Sequence, residues 1–167
     1  MELRAAVCAA LVLIAGPSPS AAPQPVTSTH GSPVRLSVEE RRHILDGNYT
    51  FIAHVADLPA SVKATFAGEH FVMADPGEEY QSTDALLPWK RLPSRRLVLA
   101  GCANARCFLH YEKGGMGHGY YVVVFDLEAG TASFRWGAAA FKPSLDLATL
   151  RSRIQSGEFD DAFAYFW

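Results

Sequence analysis

The chain lacks a surplus of positive charge. Its 15 Lys and Arg stand against 17 Asp and Glu, so the composition offers no basic surface of the kind that gathers nucleic acid through its phosphates. Aromatic residues are plentiful in the β-like runs, but without a basic stripe they do not argue for single-stranded nucleic acid either. Cysteine is scarce, at three in 167 residues. A chain this long buries roughly two-thirds of its unfolded surface and can hold a core without a dense disulfide framework or a structural metal. No Gly-x-Ser-x-Gly, His-Glu-x-x-His or Cys-x-x-Cys occurs, which removes the nucleophile elbow, the zinc-protease helix and the thioredoxin-type redox pair. Internal repeats and heptads are also absent.

Among what is present, the N-terminus comes first. Met1-Glu2-Leu3-Arg4 is followed by a short apolar run, Ala5 to Gly16, and then by Pro17-Ser18-Pro19-Ser20-Ala21-Ala22. That order predicts a secretory signal peptide over residues 1–22, since the apolar run is too short to span a bilayer. Cys8 lies within it and is expected to leave with it. Residues 23–36, rich in Pro, Ser and Thr, read as a flexible linker. A single domain is expected over 37–167.

Order is predicted from Ser37, because Ser37-Val38-Glu39-Glu40 matches a capping box and Gly47 supplies a stop. Val38, Arg41, Arg42 and Leu45 would share one face of that helix, with Ile44 near it. The basic Arg41-Arg42-His43 suits the negative end of the helix dipole without any ligand. Tyr49 to Val55 is compatible with a strand, and Ala60 to Ala67, ended by Gly68, with a second short helix. His54 and His70 flank this unit without a metal-ligand spacing. Phe71 to Met73 could form a short strand, and Asp75-Pro76-Gly77 is a turn signal. Asp75, Glu78, Glu79 and Asp84 invite a calcium reading, but the alternating ligands of a calcium loop are missing, and a solvated acidic loop is expected.

The densest pattern runs from Arg95 to Trp136. Four β-like runs, Arg96 to Gly101, Cys107 to Glu112, Tyr120 to Leu127 and Thr131 to Trp136, are joined by connections too short for a crossover helix, which predicts an antiparallel meander. Cys102 and Cys107 flank Ala103-Asn104-Ala105-Arg106, where Asn tolerates the left-handed conformation. An in-register hairpin would set the two cysteines opposite each other, and in an exported protein a disulfide between them is expected. That register places Ala100 opposite Leu109 and Val98 opposite Tyr111, leaving His110 and Glu112 on the other face with Leu99 and Phe108. After Trp136 a small-residue run leads to Ser144, read as the cap of a helix from Leu145 to about Ser156 with Leu147, Leu150, Arg151 and Ile154 on one face. The aromatic tail, Phe159 to Trp167, is expected to dock on the domain or a partner.

Polar chemistry gathers at one connection, Lys113-Gly114-Gly115-Met116-Gly117-His118-Gly119. Gly114, Gly115 and Gly117 permit close backbone approach of a ligand, and His118 stands among them. Glu112, His118 and His110, with Tyr111 or Tyr120 beside them, are the candidate acid–base or binding groups. The loop runs from strand to strand, so it is no phosphate loop, which would open a helix. No cofactor and no metal site is read from the sequence.

The resulting expectation is an α+β domain: an antiparallel meander of about 4–6 strands, covered by a C-terminal helix, with two short helices N-terminal to it. It would be exported, periplasmic or extracellular, with an envelope protein or small molecule as partner and no transmembrane segment in the mature chain. Its function reads as non-catalytic binding in a bacterial-type cell envelope, because no catalytic constellation is complete. The alternatives are a small hydrolase-like enzyme with a His/Glu site at the glycine-rich hairpin, and a structural envelope component.

Overall fold

A computed structural model describes residues 34–67, 70–83, 91–115 and 117–162. The leader, Asp84 and the end of the aromatic tail lie outside the described residues. The elements are α1 (Val38–His43), β1 (Thr50–Ile52), a 3-10 turn (Val55–Asp57), α2 (Ala60–Ala67), β2 (Arg95–Ala103), β3 (Arg106–Lys113), β4 (Gly119–Glu128), β5 (Thr131–Ala140) and α3 (Leu147–Gln155). The strands form a five-stranded sheet in the order β1-β2-β3-β4-β5, every neighbouring pair antiparallel. This is the expected α+β meander. No described helix is long and apolar enough to cross a membrane.

The strands are buried on both faces, and the helices divide between them. Phe108, Val122, Val124, Trp136 and Ala138 pack with Ile44, Leu45, Leu150 and Ile154 on one face. Leu97, Leu109, Tyr111, Val123 and Phe125 pack with Leu58, Val62 and Phe66 on the other. So α3 and the chain leaving α1 cover one side, and α2 covers the opposite one. Alternation along each strand sorts the rows.

Several boundaries move for identifiable reasons. Leu36, placed in the linker by sequence, is buried in the core and donates its N–H to Asp161. Asp161 also receives Arg41 at 2.9 Å, tying the first helix to the segment after α3. The capping box at Ser37 forms as expected, but α1 ends before Ile44; Val38 faces solvent while Ile44 and Leu45 enter the core. β5 continues through Gly137-Ala138-Ala139-Ala140, read from sequence as a connection. Ala138 lies in the cross-sheet row of Val122 and His110, where small side chains help seat Phe159, whose ring is 5.9 Å from that of His110. The Phe71 to Met73 strand does not form; an isolated parallel bridge joins Ala74 to Arg96 instead. The cap of α3 is Asp146, which accepts from the Thr149 N–H at 2.8 Å, rather than Ser144. Leu145, expected near the apolar face, is accordingly exposed.

The hairpin register holds at its closed end and fails at its open one. Cys102 and Cys107 are paired and joined by a disulfide, with Cα atoms 4.1 Å apart. The loop between the paired strands is only Asn104-Ala105, and Asn104 does not take a positive φ. Ala100 faces Leu109 as expected, but Val98 is left without a partner by a β-bulge, and Leu97 rather than Val98 faces Tyr111. A bulge adds one residue to one strand and re-aims everything beyond it. Here it brings Arg96 opposite Glu112.

Candidate functional site

Glu112 ends the row Phe108, His110, Glu112 on the α3-side face of β3, and only 5 % of it is exposed. A carboxylate taken out of water must be held by donors, and Arg96, Tyr80, His118 and Tyr120 supply them here. Arg96, aimed by the bulge, donates Nε to Oε1 at 2.5 Å. Tyr80 donates its hydroxyl to Oε2 at 2.8 Å. The Nε2 of His118 lies 3.2 Å from the same oxygen and 3.1 Å from the Tyr80 hydroxyl. Because a carboxylate can only accept, Nε2 carries the proton and Nδ1 is left with its lone pair in the neutral ring. The guanidinium of Arg96 also lies over the Tyr80 ring, 4.5 Å from its centroid, and donates Nη1 to the Glu78 carbonyl. The ring of Tyr120 meets that of His118 edge-on at 5.2 Å.

Electrostatics follow from this packing. Burial pushes the Glu112 carboxyl up, but hydrogen bonds from Tyr80, His118 and Arg96 together outweigh it and hold the group below the usual carboxylate range. Burial, reinforced by the neighbouring carboxylate, pushes the Tyr80 hydroxyl up to about 12. Tyr80 therefore stays a donor at neutral pH while Glu112 stays charged. The Glu112 and Arg96 charges lie against each other and nearly cancel.

Of the residues singled out in the sequence, Glu112 and His118 come together and His110 does not join them. His110 is fully buried and both of its ring nitrogens are used: Nδ1 donates to the Tyr121 carbonyl at 2.8 Å, and Nε2 accepts from the Ser144 N–H at 2.9 Å. Burial lowers its pKa to about 4. It is a neutral packing histidine that latches the β5–α3 connection. The glycines divide too. A Cβ on Gly114 would run into the backbone of Gln81 and Ser82, so the group that approaches this glycine is the chain's own segment, the one carrying Tyr80. Gly115 has φ +103° and, like Gly117, has open space around it.

Comparison with protein-family models, curated proteins and solved structures returns no match. The residues alone define this site.

Sequence reasoning missed Tyr80 and Arg96. Tyr80 sits in an irregular stretch with nothing local to link it to Glu112. Arg96 carried a usable signal, since slipping the hairpin by one residue exchanges an apolar residue opposite Glu112 for a cation. Two carboxylates of the acidic stretch serve local structure: Asp75 accepts from the Val55 N–H and from His54 Nδ1 at 3.1 Å, and Glu78 accepts from the Asp75 N–H at 3.1 Å. Among the described residues no group of three or more His, Cys, Asp or Glu is placed to hold a metal ion. Two concavities lie at the other end of the sheet, one lined by Pro59, Asn104 and Gly130 and the other by Asp46, Asn48 and Arg106.

Proposed function

We propose that this chain is an exported, non-catalytic binding protein of a bacterial-type cell envelope, and that it meets its ligand with the Tyr80–Glu112–His118 end of the sheet. One observation carries the binding part: the carboxylate that could act as a base already accepts from Tyr80, His118 and Arg96. A base must be free to take a proton. Glu112 instead fixes how a tyrosine and a histidine are presented, which is what a recognition surface needs. Export is supported by the leader-like N-terminus and by the Cys102–Cys107 disulfide, a bond that persists in oxidising compartments.

The hydrolase-like alternative rests on the same geometry, because a histidine whose Nε2 is held by a carboxylate can use Nδ1 as a base. Against it, the hydrogen-bond partners of His118 among the described residues are Tyr80 and Glu112, and no serine, threonine or cysteine is among them. The test is to incubate the purified mature chain, wild type and His118→Ala, with isolated envelope fractions and with a panel of nitrophenyl esters. Saturable retention by the wild type, lost in His118→Ala at unchanged melting temperature, with no ester turnover, is the expected result. Equal retention of both proteins would overturn the site, and His118-dependent turnover would replace binding by catalysis.

A further inference from the structure

We infer that Asn48 is a modification site, the acceptor of an N-linked oligosaccharide attached through its side-chain amide as the chain is exported. The inference rests on the export part of the reading above and is independent of the Glu112 surface.

The residues that carry it are Asp46-Gly47-Asn48-Tyr49-Thr50. Asn-x-Thr with a residue other than proline in the middle is the acceptor pattern of N-glycosylation. Asp46, two positions before the asparagine, completes the longer acidic form of the pattern that bacterial-type transferases take. The chain has one other asparagine, Asn104, which is followed by Ala105-Arg106 and lacks the hydroxyl residue.

A short motif needs the right setting, a surface loop, and the fold supplies it. Asn48 lies in the connection between α1 and β1 and Thr50 opens β1; both are exposed, while Tyr49 between them packs inward against Phe108 with ring centroids 5.1 Å apart. Side chains alternate along extended backbone, so residues 48 and 50 share the outer side. Neither side chain is hydrogen-bonded among the described residues. The backbone just before them is anchored: Arg106 donates to the Ile44 carbonyl at 2.8 Å and Arg151 to the Gly47 carbonyl at 2.7 Å. A glycan on Asn48 therefore displaces no hydrogen bond of the described residues and is compatible with the finished fold. Access for the transferase needs no opening of the core either, since β1 is three residues long at the edge of the sheet, an element that can open locally.

The same edge gives the glycan a use. Phe51, the residue after Thr50, is 56 % exposed on this edge strand. An edge strand with an exposed apolar side chain invites pairing with another chain, and a bulky, solubilising group at its start opposes that. The step itself balances. Nδ2 of Asn48 attacks the anomeric carbon of an oligosaccharide carried on polyprenyl pyrophosphate; a C–N bond forms, the C–O bond to the pyrophosphate breaks, the pyrophosphate leaves with the electron pair, and Nδ2 gives up one proton to the transferase.

The test purifies wild type, Asn48→Gln, Thr50→Ala and Thr50→Ser from the envelope of the cells that make the chain, and reads intact mass and the peptide that contains residue 48. Wild type and Thr50→Ser should exceed the mass of the leaderless polypeptide by one discrete oligosaccharide placed on Asn48, and the other two variants should lose it completely. Asn104, also exposed, should be bare in all the chains; its modification would show that exposure and not the pattern decides, and would overturn the assignment. A leaderless wild-type chain with bare Asn48 would overturn the glycan and leave export standing. So would added mass that survives Asn48→Gln or Thr50→Ala, or that is lost from Thr50→Ser. A cytosolic chain that keeps residues 1–22 would remove export, and the glycan with it.

Discussion

Arg96 faces Glu112 because the β2 strand gains one residue at Val98. Without that bulge the Cys102–Cys107 register would set Leu97 opposite the carboxylate, and a buried charge would stand against an apolar side chain. With it, Leu97 turns into the α2-side core beside Tyr111 and Arg96 reaches Glu112. One irregular residue thus serves the packing of one face and the charge balance of the other.

Replacing Arg96 by Met keeps most of the stem and removes the charge. Glu112 then loses a donor at 2.5 Å while remaining buried, so stability should fall by about 1–3 kcal/mol. Replacing both Arg96 and Glu112, by Met and Gln, should recover part of that loss because no uncompensated charge remains. Denaturant unfolding of the two variants beside the wild type checks this; a double variant no better than Arg96→Met would mean the pair is not coupled.

The glycines of the β3–β4 connection should separate sharply. Ala at Gly114 forces its Cβ into the backbone of Gln81 and Ser82, with an expected cost of about 1–3 kcal/mol and displacement of Tyr80 from Glu112. Ala at Gly117, which has open space around it, should change stability by less than about 0.5 kcal/mol. Thermal unfolding reads the difference. The environment of the Tyr80 ring, followed by NMR, should change only in the first variant.

How much of this was legible from the residues depends on how local the signal was. The capping box at Ser37, the four long strands and the cystine hairpin are set by neighbours within a few positions, and each forms, although β5 runs on to Ala140 and the hairpin register shifts beyond Leu99. Val98, expected opposite Tyr111, falls at the bulge instead, because a run of Leu, Val and Leu satisfies either register and only the distant demands of Tyr111 and Glu112 decide it. The same holds for Ser144, a good capping residue by type. Its N–H is held by His110 and its hydroxyl accepts from Arg153, and Asp146 caps α3 instead. Gly114 was legible as a site of close approach, but not as to which group approaches.

Removing the disulfide should weaken the fold without abolishing it. Cys102 and Cys107 are 5 residues apart in sequence, so their link restrains little of the unfolded chain, worth about 2 kcal/mol in the loop-entropy model. Two hydrophobic clusters hold the domain without it. A Cys102→Ala, Cys107→Ala double variant should unfold cooperatively at lower denaturant, with secondary structure by circular dichroism unchanged. Native protein should resist thiol alkylation, since Cys107 is wholly buried as well as oxidised.

His110 should make stability fall with acid earlier than the carboxylates do. Its folded pKa is lowered from 6.5 to about 4 by burial, so between those values the unfolded chain binds a proton that the folded one refuses. Stability from this group is therefore complete above pH 6.5, declines as pH falls through the interval and levels off below about 4, a loss of about 2 kcal/mol by pH 5. His43 acts in the opposite sense, because its hydrogen bond to Asp46 raises its pKa and so favours the fold as pH drops below its folded value. Glu112, held below the usual range, contributes stability above its unfolded pKa that is lost only as pH falls through the lower folded one. Comparing wild type with His110→Gln isolates the histidine, since the other groups are common to both. The variant should be less stable at pH 7, having to replace the bonds to the Tyr121 carbonyl and the Ser144 N–H, yet its denaturation midpoint should change less between pH 7 and pH 5. Parallel pH profiles would show that His110 carries no protonation penalty and that its ring is not sealed from water in solution.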